Sequence, residues 1–173
     1  NGELVAGGSF TFVGGSVFNR IARWNGTEWQ GVGNPVNGPS LTVFALGVFQ
    51  GELLVGGNFT SAGGILARGI ARWDGSIWRS VSGGVAGISA IVYAFTVFND
   101  VLMVGGSFGS AGSVAAPGLA RWNGISWSPV ANSGSGFNHA VNCLNPYGDH
   151  LIALQQDRFP PAGLHVGMAL NGR

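Results

Sequence analysis

The apolar positions of this chain fall in short runs, each closed by a turn that contains glycine. Between residues 42 and 81 there are four such runs: "TVFALGVF" (42–49), "GELLVGGNF" (51–59), "GIARW" (69–73) and "SIWRSV" (76–81). Runs of this length, rich in β-branched and aromatic residues and bounded by turn formers, predict strands. None carries a helical period over a useful length. In the first run Val43, Ala45 and Gly47 alternate with Phe44, Leu46 and Val48, so both faces are apolar. A half-exposed strand would alternate apolar with polar residues, so the pattern predicts a sheet sandwiched between neighbours. Gln50-Gly51 predicts the first turn. Asp74-Gly75 predicts a type I′ turn, in which both residues take positive φ.

The same pattern recurs at a step of 49 residues. "RIARWNGTEW" begins at Arg20, "GIARWDGSIW" at Gly69 and "GLARWNGISW" at Gly118. The six tryptophans of the chain are Trp24, Trp73 and Trp122, then Trp29, Trp78 and Trp127. Gly7-Gly8, Gly56-Gly57 and Gly105-Gly106 keep the step, as do Arg23, Arg72 and Arg121. A period near 50 with four strands per period predicts an all-β fold, a β-propeller or partial propeller of four-stranded antiparallel blades. The units run approximately 1–33, 41–82, 90–131 and 139–173 within one repeat domain. The first lacks an opening strand. The last is degenerate: Gln155-Gln156 stands where Gly-Gly is expected, and "GMALNG" (167–172) lacks the Arg-Trp pair. Three units and part of a fourth would leave blade faces open. The expected partners are therefore further blades of a longer chain, or a second copy that closes the ring.

Composition narrows the function. The chain is 46% hydrophobic and 9% charged, with net charge +1. That gives no electrostatic case for nucleic acid, and no apolar stretch is long enough for a helical membrane span. Lysine is absent, so every cation is an arginine. A surface so poor in charge suits an extracellular or cell-surface protein. The lone Cys143 excludes an internal disulfide and is expected as a small buried hydrophobe.

Each candidate residue has a structural and a chemical reading. The paired tryptophans are expected to pack across a hairpin and between blades. The alternative makes Trp29, Trp78 and Trp127 stacking platforms for a glycan. The arginines are expected to donate to carbonyls or to stack on an indole, because Glu3 and Glu52 match each other but Val101 replaces them in the third unit. The Gly-Gly pairs lead into no helix and no Gly-Lys-Ser/Thr follows, which excludes a phosphate loop. They predict close backbone approach or positive φ. Asp157, Arg158 and His165, in the divergent "QQDRFPPAGLH" (155–165), are candidate binding residues. Asn25-Gly-Thr27 and Asn58-Phe-Thr60 are candidate N-glycosylation sites. No catalytic residue, metal site or cofactor is expected.

"GGNFTSAGGILARGIARWDGSIW" (56–78) resembles a kelch-related propeller repeat of the form GGxFTxAGG…IARWDGxxW. Such repeats occur in large secreted or surface proteins of bacteria and in the extracellular part of fungal cortical polarity-marker proteins. The resemblance covers residues 1–131. It implies a noncatalytic surface or adhesion role, with a protein partner or a glycan. Kelch repeats usually place a Tyr before the Trp, whereas here the earlier aromatic is itself Trp24, Trp73 or Trp122. A copper oxidase built on a kelch-like propeller would need a Tyr–Cys cross-link, two histidines and a further tyrosine. Cys143, Tyr147, His139 and His150 lie near one another in sequence, but along one blade rather than converging from several elements.

Overall fold

The computed structural model describes residues 2–34, 38–130, 137, 140–155 and 167–171. Among them the chain is all-β and contains no helix. It divides into two compact units, Asn1–Gly84 and Val85–Arg173.

The first unit holds two antiparallel sheets. In the first, β1 (Leu4–Gly7) leads to a small hairpin, β2 (Phe12–Val13) and β3 (Ser16–Val17), before β4 (Ile21–Trp24) and β5 (Trp29–Gly31). The sheet order is β1-β4-β5. The second sheet is complete. It runs β6 (Val43–Phe49), β7 (Glu52–Gly57), the hairpin β8 (Ser61–Ala62) and β9 (Ile65–Leu66), then β10 (Ile70–Trp73) and β11 (Trp78–Ser80). Its four main strands form the meander β6-β7-β10-β11. Between the two sheets lies a core that includes Ile21, Val43, Val55, Phe59 and Trp78. Each fully buried aliphatic side chain of this kind contributes about 1.5–3 kcal/mol.

The second unit repeats the plan. β12 (Val85–Ala86) pairs onto an inserted hairpin rather than a main sheet. The main strands are β13 (Ile91–Phe98) and β14 (Val101–Ser107), then the hairpin β15 (Ser110–Ala111) and β16 (Val114–Ala115), then β17 (Leu119–Trp122) and β18 (Trp127–Pro129). They form the meander β13-β14-β17-β18. A further sheet, β19 (Val141–Tyr147), β20 (His150–Gln155) and β21 (Gly167–Asn171), packs against it through Ala94, Met103, Val141, Leu144 and Leu151.

The Gly-Gly pairs have a specific job. The strands β6, β13 and β19 each carry a β-bulge. Val43 and Ala45 register with the adjacent Gly57 and Gly56, and Val92 and Ala94 with Gly106 and Gly105. A Cβ at Gly57 would overlap the Thr42 carbonyl oxygen, and one at Gly106 would overlap that of Ile91. The first glycine of a pair admits the next sheet instead: a Cβ on Gly7 would lie 2.5 Å from Val43 Cγ1, and one on Gly105 would lie 2.8 Å from Val141 Cγ1. Close approach accounts for the pairs, and none of these glycines takes positive φ. In the last sheet Val141 and Cys143 register with Gln155 and Leu154. The two glycine positions are thus filled by Leu154-Gln155, one residue earlier than the sequence alignment of Gln155-Gln156 placed them.

Three further expectations are corrected. The Asp-Gly and Asn-Gly turns are not type I′: φ is positive at Gly26, Gly75 and Gly124 but not at Asn25, Asp74 or Asn123. Trp73 registers with Trp78, which leaves a four-residue loop closed by the side chain of Asp74. Two-residue turns with both φ positive occur instead at Gln50-Gly51 and, inside the inserted hairpins, at Gly14-Gly15 and Gly63-Gly64. The opening strands are not covered on both faces either. Phe44 and Val48 are exposed on β6, because β6 is an edge strand, whereas the inner strand β7 buries both faces from Leu54 to Gly57. Cys143 is exposed rather than buried, because Val141 and Leu144 take the core positions of β19.

Candidate functional site

The repeated aromatic and charged residues converge on the outer hairpin of each sheet. Trp24–Trp29, Trp73–Trp78 and Trp122–Trp127 are direct cross-strand pairs. Their ring centroids lie 5.6, 5.4 and 5.1 Å apart, with interplanar angles of 55°, 52° and 51°. This tilted geometry suits the aromatic quadrupole and adds about 0.5–1.5 kcal/mol beyond area burial.

The surroundings of these pairs decide what the rings can do. The Trp78 indole N–H donates to the Val32 carbonyl oxygen at 3.3 Å. A Cβ on Gly33 would lie 3.0 Å from the Trp73 ring, and one on Gly63 would overlap the Trp78 ring. Trp78 is thus held between the turn that ends the preceding sheet and the hairpin inserted in its own. Trp78 is 7% exposed and Trp127 is 6% exposed, which leaves no open ring face on which a sugar could stack. Trp29 is half-buried. A Cβ on Gly14 would lie 2.6 Å from its Cδ1, so the inserted hairpin covers it in the same manner.

Two of the three repeated arginines find carboxylates, contrary to the carbonyl and indole expectation. Arg23 donates to Glu3 at 3.4 Å and Arg72 to Glu52 at 3.0 Å. Glu52 opens β7 and Glu3 immediately precedes β1, which puts each two residues before the strand position that pairs with its arginine. In the third unit Val101 stands at that place, and Arg121 is exposed. Partly exposed pairs of this kind contribute about 0–1 kcal/mol each, so they adjust the sheet rather than hold it.

The loop at Asp74 carries the one titration shifted among the described residues. Its carboxyl sits below the usual value of 3.8, chiefly because Oδ1 accepts the backbone N–H groups of Ile77 and Ser76, with Arg79 adding to the effect. Arg79 donates twice to Oδ2, at 3.1 and 3.0 Å. A carboxyl whose folded-state pKa is depressed stabilises the fold fully above the unfolded value, and that stability fades as pH falls through the folded value. Asp74→Asn keeps the loop acceptor and removes the charge. Comparison of urea midpoints should therefore show wild type ahead of the variant at neutral pH and the gap closing below about pH 4. A gap independent of pH would mean that the charge plays no part.

Of the remaining candidates, Asn25 lies in an exposed loop and Asn58 is half-buried. Asp157, Arg158, His165 and His139 lie outside the described residues. Tyr147 and His150 face each other across the β19–β20 turn. One set of residues was missed in the sequence: large apolar side chains left exposed on the opening strands. Val48 is 65% exposed on β6, and Val97, one repeat step later, is 42% exposed on β13. Their common step of 49 was the available signal.

Residues 1–26 match a family model described as a domain of unknown function (DUF5122) beta-propeller. Neither curated proteins nor solved structures gave a match. With the repeated antiparallel meanders, the match identifies the architecture as propeller-type.

Proposed function

We propose that this chain is a noncatalytic module of kelch-like propeller repeats that binds protein at the cell surface or outside the cell. The observation that carries this reading is the pair Val48 and Val97. The same repeat position in the edge strands β6 and β13 keeps an apolar side chain in solvent. Exposed apolar side chains on a sheet edge are a liability unless something covers them. The paired tryptophans, Arg23, Arg72 and Asp74 have structural partners, which favours a binding role over catalysis. The sparse charge and the absence of lysine support an extracellular setting.

Ring completion is part of the proposal. In the second sheet the row Leu53–Trp73–Trp78 is covered by the Val32-Gly33 turn. The matching row of the first sheet, Leu4–Trp24–Trp29, is partly open. A further blade, from a longer chain or a second copy, would seat there.

The test immobilises the chain and titrates it with solubilised surface extract from the source organism, beside a glycan array. Saturable binding that protease treatment of the extract abolishes is expected. Val48→Ser combined with Val97→Ser should weaken it about tenfold or more, because each buried valine is worth about 1.5 kcal/mol or more. Binding that survives protease but is lost on deglycosylation would favour a lectin. No binding would overturn the proposal.

A further inference from the structure

We propose that Asn25 is an N-glycan acceptor and that Asn58, in the chain's other Asn-x-Thr sequence, is not. Residues 25–28 are all exposed, at the tip of the β4–β5 loop. The Asn25 side-chain oxygen accepts three hydrogen bonds: from the Thr27 backbone N–H at 2.9 Å, from the Thr27 hydroxyl at 2.8 Å and from the Glu28 backbone N–H at 2.9 Å. Three donors on the oxygen fix the orientation of the amide and direct its nitrogen, the atom that carries a glycan, away from the interior of the loop. The hydroxyl contact joins the two residues whose combination defines the acceptor sequence. A bulky, strongly hydrated glycan is tolerated only where it can stay in water.

Asn58 meets none of these conditions. It is half-buried, its backbone N–H is bonded to the Thr42 carbonyl, and its side-chain oxygen is buried without a hydrogen bond. Phe59 beside it is fully buried. A glycan there would have to displace the start of the second sheet.

The repeat supplies its own controls. The loops at 74–77 and 123–126 have the same Asx geometry, with Asp74 and Asn123 accepting the equivalent backbone N–H groups. Neither is an acceptor sequence: the one begins with Asp74, and the other has Ile125 where a hydroxyl residue is needed. Single substitutions complete them.

The inference depends on the extracellular reading only for its occurrence in the native cell. The experiment therefore adds a secretion leader to the full chain and expresses it in a eukaryotic host, so its failure leaves that reading untouched. Wild type should gain the mass of one endoglycosidase-sensitive glycan. Asn25→Asp should lose it while keeping the loop, as Asp74 does, and Asn58→Asp should leave it unchanged. Asp74→Asn and Ile125→Thr should each add one further glycan. Absence of a glycan from Asn25, whether or not the completed loops are modified, overturns the inference, as does a glycan mapped to Asn58.

Discussion

Trp78→Ala should lower the stability of the Asn1–Gly84 unit by about 3–5 kcal/mol, read as a large fall in urea midpoint by circular dichroism. The residue is almost fully buried between the Val32-Gly33 turn and the Gly63 turn. Truncation would empty that space, end the tilted contact with Trp73 and leave the Val32 carbonyl without its indole donor. Trp78→Phe separates the parts. It keeps most of the packing and loses the hydrogen bond, so about 0.5–1.5 kcal/mol is expected. Trp29→Ala, at the equivalent but half-buried position, should cost clearly less than Trp78→Ala. Equal midpoints for Trp78→Ala and wild type would mean that the repeated indoles do not hold the sheets, and would reopen the stacking-platform reading.

The second large effect is expected at the Gly-Gly pairs. Gly57→Ala should cost about 3 kcal/mol or more, at or beyond the upper end of ordinary overpacking. The new methyl group would overlap the Thr42 carbonyl oxygen, and it would also lie 3.1 Å from the Thr42 carbonyl carbon. Both atoms are backbone, so no rotamer change relieves the overlap, and β6 has to move off β7 at the bulge. Gly51→Ala is the matched control. Its φ is +79° but nothing lies within 4 Å, so only the left-handed strain of about 1–2 kcal/mol applies. If the two substitutions cost the same, the bulge does not require the close approach assigned to it.

The step of 49 made the main strands legible. Each Trp pair, each Gly-Gly pair and all four main strands of the two complete sheets fall where the repeat places them. Sequence pattern reports less well on contacts made across a sheet. The Glu52–Arg72 pair was set aside because Val101 breaks it in the third unit, although two sheets out of three keep it. The inserted hairpins escaped notice because strands of two residues are too short for any alternation to register. Their Gly14-Gly15 and Gly63-Gly64 turns, like Gln50-Gly51 and Asn99-Asp100 but unlike Asp74-Gly75, are tight turns with both φ positive. Cys143 shows a further limit. A bulge shifts the inward positions by one residue, so a strand that contains one cannot be assigned faces by counting alternate residues.

That shift also sets one position of the repeat apart. Phe44, Tyr93 and Asn142 are the residues inside the three bulges, each 49 after the last, where the opening strand takes three residues against two on its neighbour. Around Phe44 and Tyr93 the fit of glycine, valine and carbonyl is the same, and around Asn142 Leu154 and Gln155 take the places of the glycines. At this one address a bare aromatic, a phenol and a carboxamide succeed one another with the hydrogen-bonded ladder restored on either side. The repeat therefore accepts a change of side-chain chemistry at this position from one blade to the next, while the bulge that holds it stays the same.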